Sequence, residues 1–486
     1  MVLRTGIGKA HDAVTTRSAD AQAFFDQGLA YLHSYVWIEA ARSFHQALRL
    51  DAGLALAHVG LSVAYIELNK PADGRRAIEK AQGLQAGVSD HERRHIDVRA
   101  LQMAAEDNPA DISRLASYRQ GLDAAIAAFP SDVELLLRRG IAESPDPADR
   151  GQGSTASSIP YYERVLKASL NNFAAQHFLA HAYENTGRMK EALASATAYA
   201  TSAPGVPHAV HMRGHELRRA GRVAEAIAQF ETADKLQAAY FASEKIAPEL
   251  DWHHQHNLDL LATSYQYVGQ MKKAEALLKQ SFAIPSNLLV QIVNKREWPV
   301  FLLARGRPAD ALAAANALIA HPHPIVQATG QIEAGFVFLA TKRYADAAAA
   351  SNAALKLMRG ATEGQGLVVN SLEALQGEFL LRTGQRDKGR AVLERAAQKL
   401  RALPGPDAWT QSLFRLEAMA RAAREVGDWL LAGRMAALMN EHDPAYAGTH
   451  YALALVAAHD GNAATAKREF ALGDAAWAGA DVDLRR

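Results

Sequence analysis

The sequence predicts an all-α fold made of stacked helical hairpins, and three observations lead there. Ala, Leu, Arg and Glu dominate with apolar spacings of three and four, while alternating Val, Ile, Thr and aromatic runs are scarce. The sequence also repeats itself. "HFLAHAYENTGRMKEALASATAYA" aligns with "HMRGHELRRAGRVAEAIAQFETAD", and "LEAMARAAREVGDWLLAGRMAALM" with "YALALVAAHDGNAATAKREFALGD". In each pair the aligned glycines are 34 residues apart (Gly187 and Gly221, 221 − 187 = 34; Gly427 and Gly461, 461 − 427 = 34). Finally, each unit reads helix, tight Gly turn, helix, with small residues where the two helices touch.

Less regular copies surround Gly269, Gly306 and Gly384, and an early one reads "FFDQGLAYLHSYVWIEAARSFHQAL". One hairpin cannot bury its apolar stripe alone, so neighbours must stack. Period and pattern resemble tetratricopeptide repeats. The resemblance implies a superhelical solenoid of helix-turn-helix repeats whose first helices line a concave groove. On this reading residues 1–285 are the repeats that carry a histidine-rich site, and residues 286–486 continue the same solenoid. Two interruptions stand out: "AESPDPADRGQGSTASSIP" (142–160), expected as an exposed loop, and "YFASEKIAPELDWHHQHN" (240–257), a lengthened link. The final "WAGADVDLRR" is polar enough to serve as a solubilising cap.

Composition excludes several classes. The chain has 486 residues, 49% of them hydrophobic, with 53 basic against 52 acidic residues. This balance argues against nucleic acid or an anionic membrane as partner. No apolar run reaches the length of a membrane span. The absence of cysteine removes disulfides, thiolate ligands and a Cys nucleophile together. "MVLRTGIGKAHDAVTT" lacks a secretory apolar stretch, so the expected compartment is the cytoplasm if Met1 is native, and the periplasm or exterior if a leader was removed.

"VSDHERRHIDVRAL" (88–101) contains H-E-x-x-H, the string of many zinc proteases. Ser89 followed three residues later by Glu92 makes a capping box, which accounts for Glu92 structurally. That places His91 and His95 near a helix start, expected to be exposed and unremarkable, and the sequence does not read as an HExxH protease.

A second set of histidines keeps register with the repeat. His177 and His211 stand ten residues before their glycines, and His181 and His215 six before. Each pair is i, i+4 and shares one helix face. His208 and, one repeat later, His256 lie thirteen before; Glu184 extends the stripe, Arg218 matches it in the next repeat, and Asp259 matches the His177/His211 position in the third. The segments "HFLAHAYENTGR", "PHAVHMRGHELRRAGR" and "DWHHQHNLDLLATSYQY" resemble a bacterial subfamily of tetratricopeptide proteins with paired-His motifs. That resemblance implies a shared site on His177, His181, His211, His215 and His256, with Glu184 and Asn257 retained, and names no reaction.

An imidazole-rich set suits one transition metal, zinc, copper or iron, better than magnesium or calcium. His177, His181, His208, His211, His215 and His256 are therefore the candidate metal ligands. Glu184 is the candidate acid/base or a further ligand, and Arg218, Asp259 and Asn257 are candidate substrate contacts. Two readings follow. One is a metal-dependent groove, an enzyme on a small or peptide-like substrate. The other is a metal-free adaptor binding an extended peptide. His253 and His254 adjoin the set, and Trp252 is placed to wall a pocket. His321 and His323 belong to a turn, while His450 and His459 fall off the stripe and are expected to lack partners. From 286 onward no comparable cluster occurs, and Arg296 reads as a solvated or ion-paired residue.

Overall fold

The structure is a computed structural model that describes residues 1–148, 153–403 and 406–482. Among these residues there are 25 α-helices and no strand. No helix is long and apolar enough to cross a membrane, again among the described residues. The chain forms two compact units, Met1–Ser243 and Glu244–Arg486.

The first unit is a run of antiparallel hairpins: Ala19–His33 with Trp37–Leu50, Ala55–Glu67 with Pro71–Gly83, Asp90–Glu106 with Ile112–Ala128, and Val133–Ile141 with Ile159–Ala168. Phe173–Asn185 with Met189–Ser202 and Pro207–Arg219 with Val223–Glu244 complete it. Many starts are capped by the side chains expected there. Ser18, Ser89, Asp111, Asp132 and Asn172 each accept a backbone N–H of the first turn. The turns explain the aligned glycines. Gly187 and Gly221 both sit at φ +76°, the left-handed position that ends a helix and that glycine adopts without a Cβ clash. Small residues serve close packing. A Cβ on Gly28 or Gly60 would lie 2.4 Å or 2.3 Å from the Phe44 ring, which fills the space between the first two hairpins.

The second unit repeats the plan from Trp252–Tyr267 with Met271–Ala283 to Ala447–His459 with Ala463–Ala476. Gly269, Gly306, Gly384, Gly427 and Gly461 hold its left-handed turns. Both units are tetratricopeptide-like solenoids of helix-turn-helix repeats, as the period implied.

Long-range bonds tie each unit's beginning to its later hairpins. In the first, the Gly205 N–H donates to the Gly6 carbonyl at 2.8 Å. In the second, Trp477 Nε1 donates to the Tyr267 carbonyl at 2.8 Å, and Asp481 accepts the N–H groups of Met271 and Lys272 at 2.8 and 2.9 Å. The expected solvated tail is thus docked up to Asp481, while residues 483–486 lie outside the described ones. The 142–160 segment also departs from expectation. Arg119 donates to the carbonyls of Ala142, Glu143 and Ser144, and Ser154 and Ser158 are buried. These carbonyls lie just past a helix end and need donors, which the half-buried Arg119 guanidinium supplies. Its residues 149–152, the first half of the "GQGS" string among them, lie outside the described residues.

Of the two readings of Arg296, solvated or ion-paired, the second fits: it is largely buried, with Nε 3.9 Å from Glu297 Oε1. It donates to the Leu367 carbonyl at 2.9 Å and to Gln411 Oε1 at 2.8 Å, while Arg415 pairs with Glu333 at 3.0 Å. Burial raises the neighbouring Glu297 to about 7, against the pull of Arg296 and Arg415. The folded chain therefore keeps a proton there that the unfolded chain releases. The stability this proton brings is complete below the ordinary Glu range and is lost as pH rises towards 7. Glu297→Gln should remove the dependence. Urea midpoints taken at pH 5 and pH 8 should fall less in the variant, by an equivalent of about 1–3 kcal/mol; equal slopes would show that Glu297 is ionised in the fold.

Candidate metal centre

The site is built on two helices of the first unit. Helix Phe173–Asn185, capped by Asn172, carries His177 and His181 one turn apart; helix Pro207–Arg219 opens with Pro207 and presents His208 in its first turn. His177 Nδ1 donates to the His33 carbonyl at 2.7 Å. A carbonyl can only accept, so the proton of a neutral His177 is on Nδ1, and Nε2 offers a lone pair. Burial drives the His177 pKa down to about 3, so the ring is neutral. His177 Nε2 lies 3.0 Å from His208 Nε2 and 3.2 Å from His181 Nε2. All three nitrogens lie within 4.8 Å of one another. Exposure is 0% for His177, 8% for His181 and 3% for His208. These rings are inside the unit and do not line an open groove.

Tyr199 stacks on His177 at 4.5 Å, and Tyr35 meets His177 at 4.7 Å and His208 at 5.3 Å. Tyr35 occupies the turn position that glycine holds in other hairpins, at φ +59°. Its N–H donates to the Leu32 carbonyl and the next N–H to the Tyr31 carbonyl, the pattern seen around Gly187. A bulky residue there is strained by about 1 kcal/mol or more. What it gains is a ring against two of the three histidines.

His211 and His215 continue the stripe, fully buried, with rings 5.6 Å apart. Glu184 Oε2 lies 3.2 Å from His215 Nδ1, and Arg219 donates to Glu184 Oε1 at 3.1 Å. Burial disfavours the Glu184 anion, but His215 and Arg219 outweigh it and hold the carboxyl well below its usual range. Glu216, which the sequence reading missed, is buried beside this group; desolvation and the Glu184 charge push it well above the carboxylate range. Two adjacent carboxyls are thus pushed in opposite directions. Arg218 is buried on the same helix.

The remaining candidates belong to the second unit. His256 Nδ1 lies 3.3 Å from Asp407 Oδ2, and its ring stacks on Trp252 at 5.9 Å. Asn257, His253 and His254 are buried. Asp259 accepts the Ser281 hydroxyl at 2.6 Å, and burial raises it to about 8. His321 and His323 cap the backbone of their turn, as read. His450 and His459 do have partners: His450 donates to Glu469 at 2.8 Å, and His459 stacks on Trp429 at 4.0 Å. Glu469 lies on the second helix of the same hairpin and Trp429 on the helix before it, both outside the stripe from which partners were sought.

The capping box at Ser89 and Glu92 is present, and Glu92 also accepts from Thr15. The exposure expected of its histidines is not. His95 is only 1% exposed, and both His91 and His95 reach Asp132. Spacing along one helix could not reveal a partner 37 residues away.

The fold is that of a tetratricopeptide-like solenoid of helical hairpins. No family model matches the chain, and no curated protein matches it. Among solved structures it is similar to a human IFIT1 dimer with PPP-AAAA (12% identity, TM-score 0.43, covering 88% of this chain and 91% of that one). It is similar also to a tetratricopeptide repeat protein from Parabacteroides merdae (15%, 0.38, 57% and 97%) and to yeast Tom70 (12%, 0.32, 94% and 91%).

Left-handed turns give a direct test of what Tyr35 does. Lys342 sits at φ +60° in an equivalent turn but is exposed. Lys342→Gly should be neutral or stabilising by up to about 1 kcal/mol. Tyr35→Gly relieves the same strain yet empties space against the histidines, so it should destabilise by about 2–4 kcal/mol. Urea denaturation of the two variants checks this, and equal effects would remove the packing role.

Proposed function

We propose that the first unit binds one transition-metal ion, zinc, copper or iron, through His177, His181 and His208, and that the protein works as a metal-dependent repeat protein on a small or peptide-like molecule. One observation carries this reading. His177 Nε2 has a single lone pair, its tautomer being set by the His33 carbonyl, yet two other imidazole nitrogens approach it at 3.0 and 3.2 Å. One lone pair cannot accept two N–H groups well. A cation among the three nitrogens satisfies all of them. Ligand bonds of 2.0–2.1 Å in a tetrahedron put neighbouring donors about 3.3 Å apart, close to these separations.

The backbone carbonyl behind His177 is the kind of outer partner that orients a ligating imidazole. Three histidines leave a fourth position, where the metal would polarise a bound oxygen atom. Around it, Glu184 stays anionic under Arg219 and His215 and so suits orientation of His215 or proton acceptance. Glu216, whose pKa is pushed upward by burial and the Glu184 charge, suits proton donation. Arg218, His211 and His215 complete the polar stripe of the same helix. Burial of the histidines weighs against the adaptor reading, since an extended peptide needs exposed contacts.

Elemental analysis of chain purified without a histidine tag tests the proposal, with a His177→Ala/His208→Ala variant beside it. The variant should hold about one equivalent less transition metal per chain while its far-ultraviolet circular dichroism is unchanged. Equal metal contents, before and after loading with zinc, copper or iron, would turn the search towards peptide partners of a metal-free adaptor.

A further inference from the structure

The helix that begins at Ser89 brings a second donor set together, far from the stripe in sequence. His91 and His95 lie one turn apart on helix Asp90–Glu106, and both send Nε2 to the same oxygen, Asp132 Oδ2, at 2.6 and 2.8 Å. The two nitrogens are 3.2 Å from each other. Asp12, from the segment before the first helix, adds a carboxylate whose oxygens are 3.5 Å from His91 Nε2 and 4.0 Å from His95 Nε2. Asp132 also caps the next hairpin, its other oxygen accepting the Leu135 N–H at 3.0 Å, so its orientation is fixed from behind.

We propose that His91, His95, Asp132 and Asp12 form a second, structural site for a divalent metal ion of the zinc type. Protons alone serve this arrangement poorly. To bond one carboxylate oxygen, both imidazoles must carry a proton on Nε2, and the two N–H groups then crowd onto that single oxygen with their nitrogens 3.2 Å apart. If both rings are cationic, like charges are held at that distance. One divalent ion replaces both protons, uses both lone pairs and balances the two carboxylates. The separations among His91, His95 and Asp132, and from Asp12 to His91, run from 2.6 to 3.5 Å and bracket the edge of about 3.3 Å expected between nitrogen and oxygen ligands of a zinc ion. His91 keeps 21% of its side chain exposed, which gives an ion a way in.

This is not a protease site despite the H-E-x-x-H string. Glu92 is fully engaged: it accepts the Thr15 N–H at 2.9 Å, the Thr15 hydroxyl, and the Ser89 N–H at 2.9 Å. The string's own glutamate is therefore not free to act as the base that the protease motif requires. The ion would instead pin the N-terminal segment. Asp12 and Thr15 both dock on this helix start, and the segment between them is held to the first helix by Gln22, whose side chain donates to the Asp12 carbonyl at 2.8 Å.

The site is separate from the His177 centre, so the test uses the full chain carrying His177→Ala and His208→Ala. This background is equilibrated with zinc, freed of excess by gel filtration and analysed for bound metal, then compared with the same chain after adding either His95→Gln or Asp132→Asn. The second change keeps an oxygen for the Leu135 cap while removing the charge, so it reports even where His95→Gln unfolds. The expected result is a loss of about one zinc per chain with Asp132→Asn, and an anomalous peak between His91, His95 and Asp132 in crystals of the zinc-loaded background. Unchanged zinc content on adding Asp132→Asn, or density at the site with no anomalous signal, overturns the proposal. Neither result bears on the His177 centre, which stands or falls with the metal lost on replacing His177 and His208.

Discussion

The bond from His177 Nδ1 to the His33 carbonyl is the constraint on which the first unit turns. It joins residues 144 apart and satisfies a carbonyl at a helix end, where the helix itself supplies no donor. In doing so it selects the tautomer of His177 and aims the Nε2 lone pair at His208 and His181. A helix terminus that needed a donor and a histidine that needed a fixed proton solve each other's problem. Neither helix could do so alone. The geometry therefore depends on the first hairpin packing against helix Phe173–Asn185, which the stacking of several intervening repeats makes possible.

Tyr35 belongs to the same constraint. A glycine would make that turn without strain, as Gly187 and Gly221 do. The tyrosine holds an unfavourable backbone conformation and puts a ring over His177 and His208. Strain kept at one turn of a repeat array, where the other turns are relaxed or exposed, marks the place where packing was set by something besides the fold. Together with Tyr199 it packs aromatic surface against His177 and His208. That raises the cost of leaving their nitrogens mismatched.

The fold was almost wholly legible in the sequence because its period is local. A hairpin of two helices and a left-handed turn is encoded within one 34-residue unit, and Gly187, Gly221, Gly427 and Gly461 fell where the alignment put them. The site was legible in part for the same reason. Spacing of four placed His177 with His181 and His211 with His215, and repeat register brought His208 to its neighbour's stripe. What spacing could not supply was depth or distant partners. The histidines were expected on a groove surface and are buried. His33, Tyr35 and Glu216 gave no periodic signal, although a tyrosine in a glycine's turn position was visible in "HSYV". At His91 and His95 the capping argument for Glu92 held, while Asp132 and Asp12 come from other hairpins and from the chain's beginning, beyond any single-helix pattern.

These non-local partners share a route. Asp132 caps one helix and Glu134 lies in its first turn: Asp132 gathers His91 and His95, and Glu134 accepts from the His33 ring at 2.8 Å. The carbonyl of that same His33 then sets His177. Each link is a buried polar group whose partner lies on a different hairpin, and burying any of them unpaired would cost more than the pair contributes. So the first hairpin cannot be shifted without disturbing both histidine clusters. Apolar stacking fixes how repeats follow one another. It is this polar chain from Asp132 through Glu134 and His33 to His177 that fixes which repeats meet across the unit, and it runs between the two places where imidazoles converge.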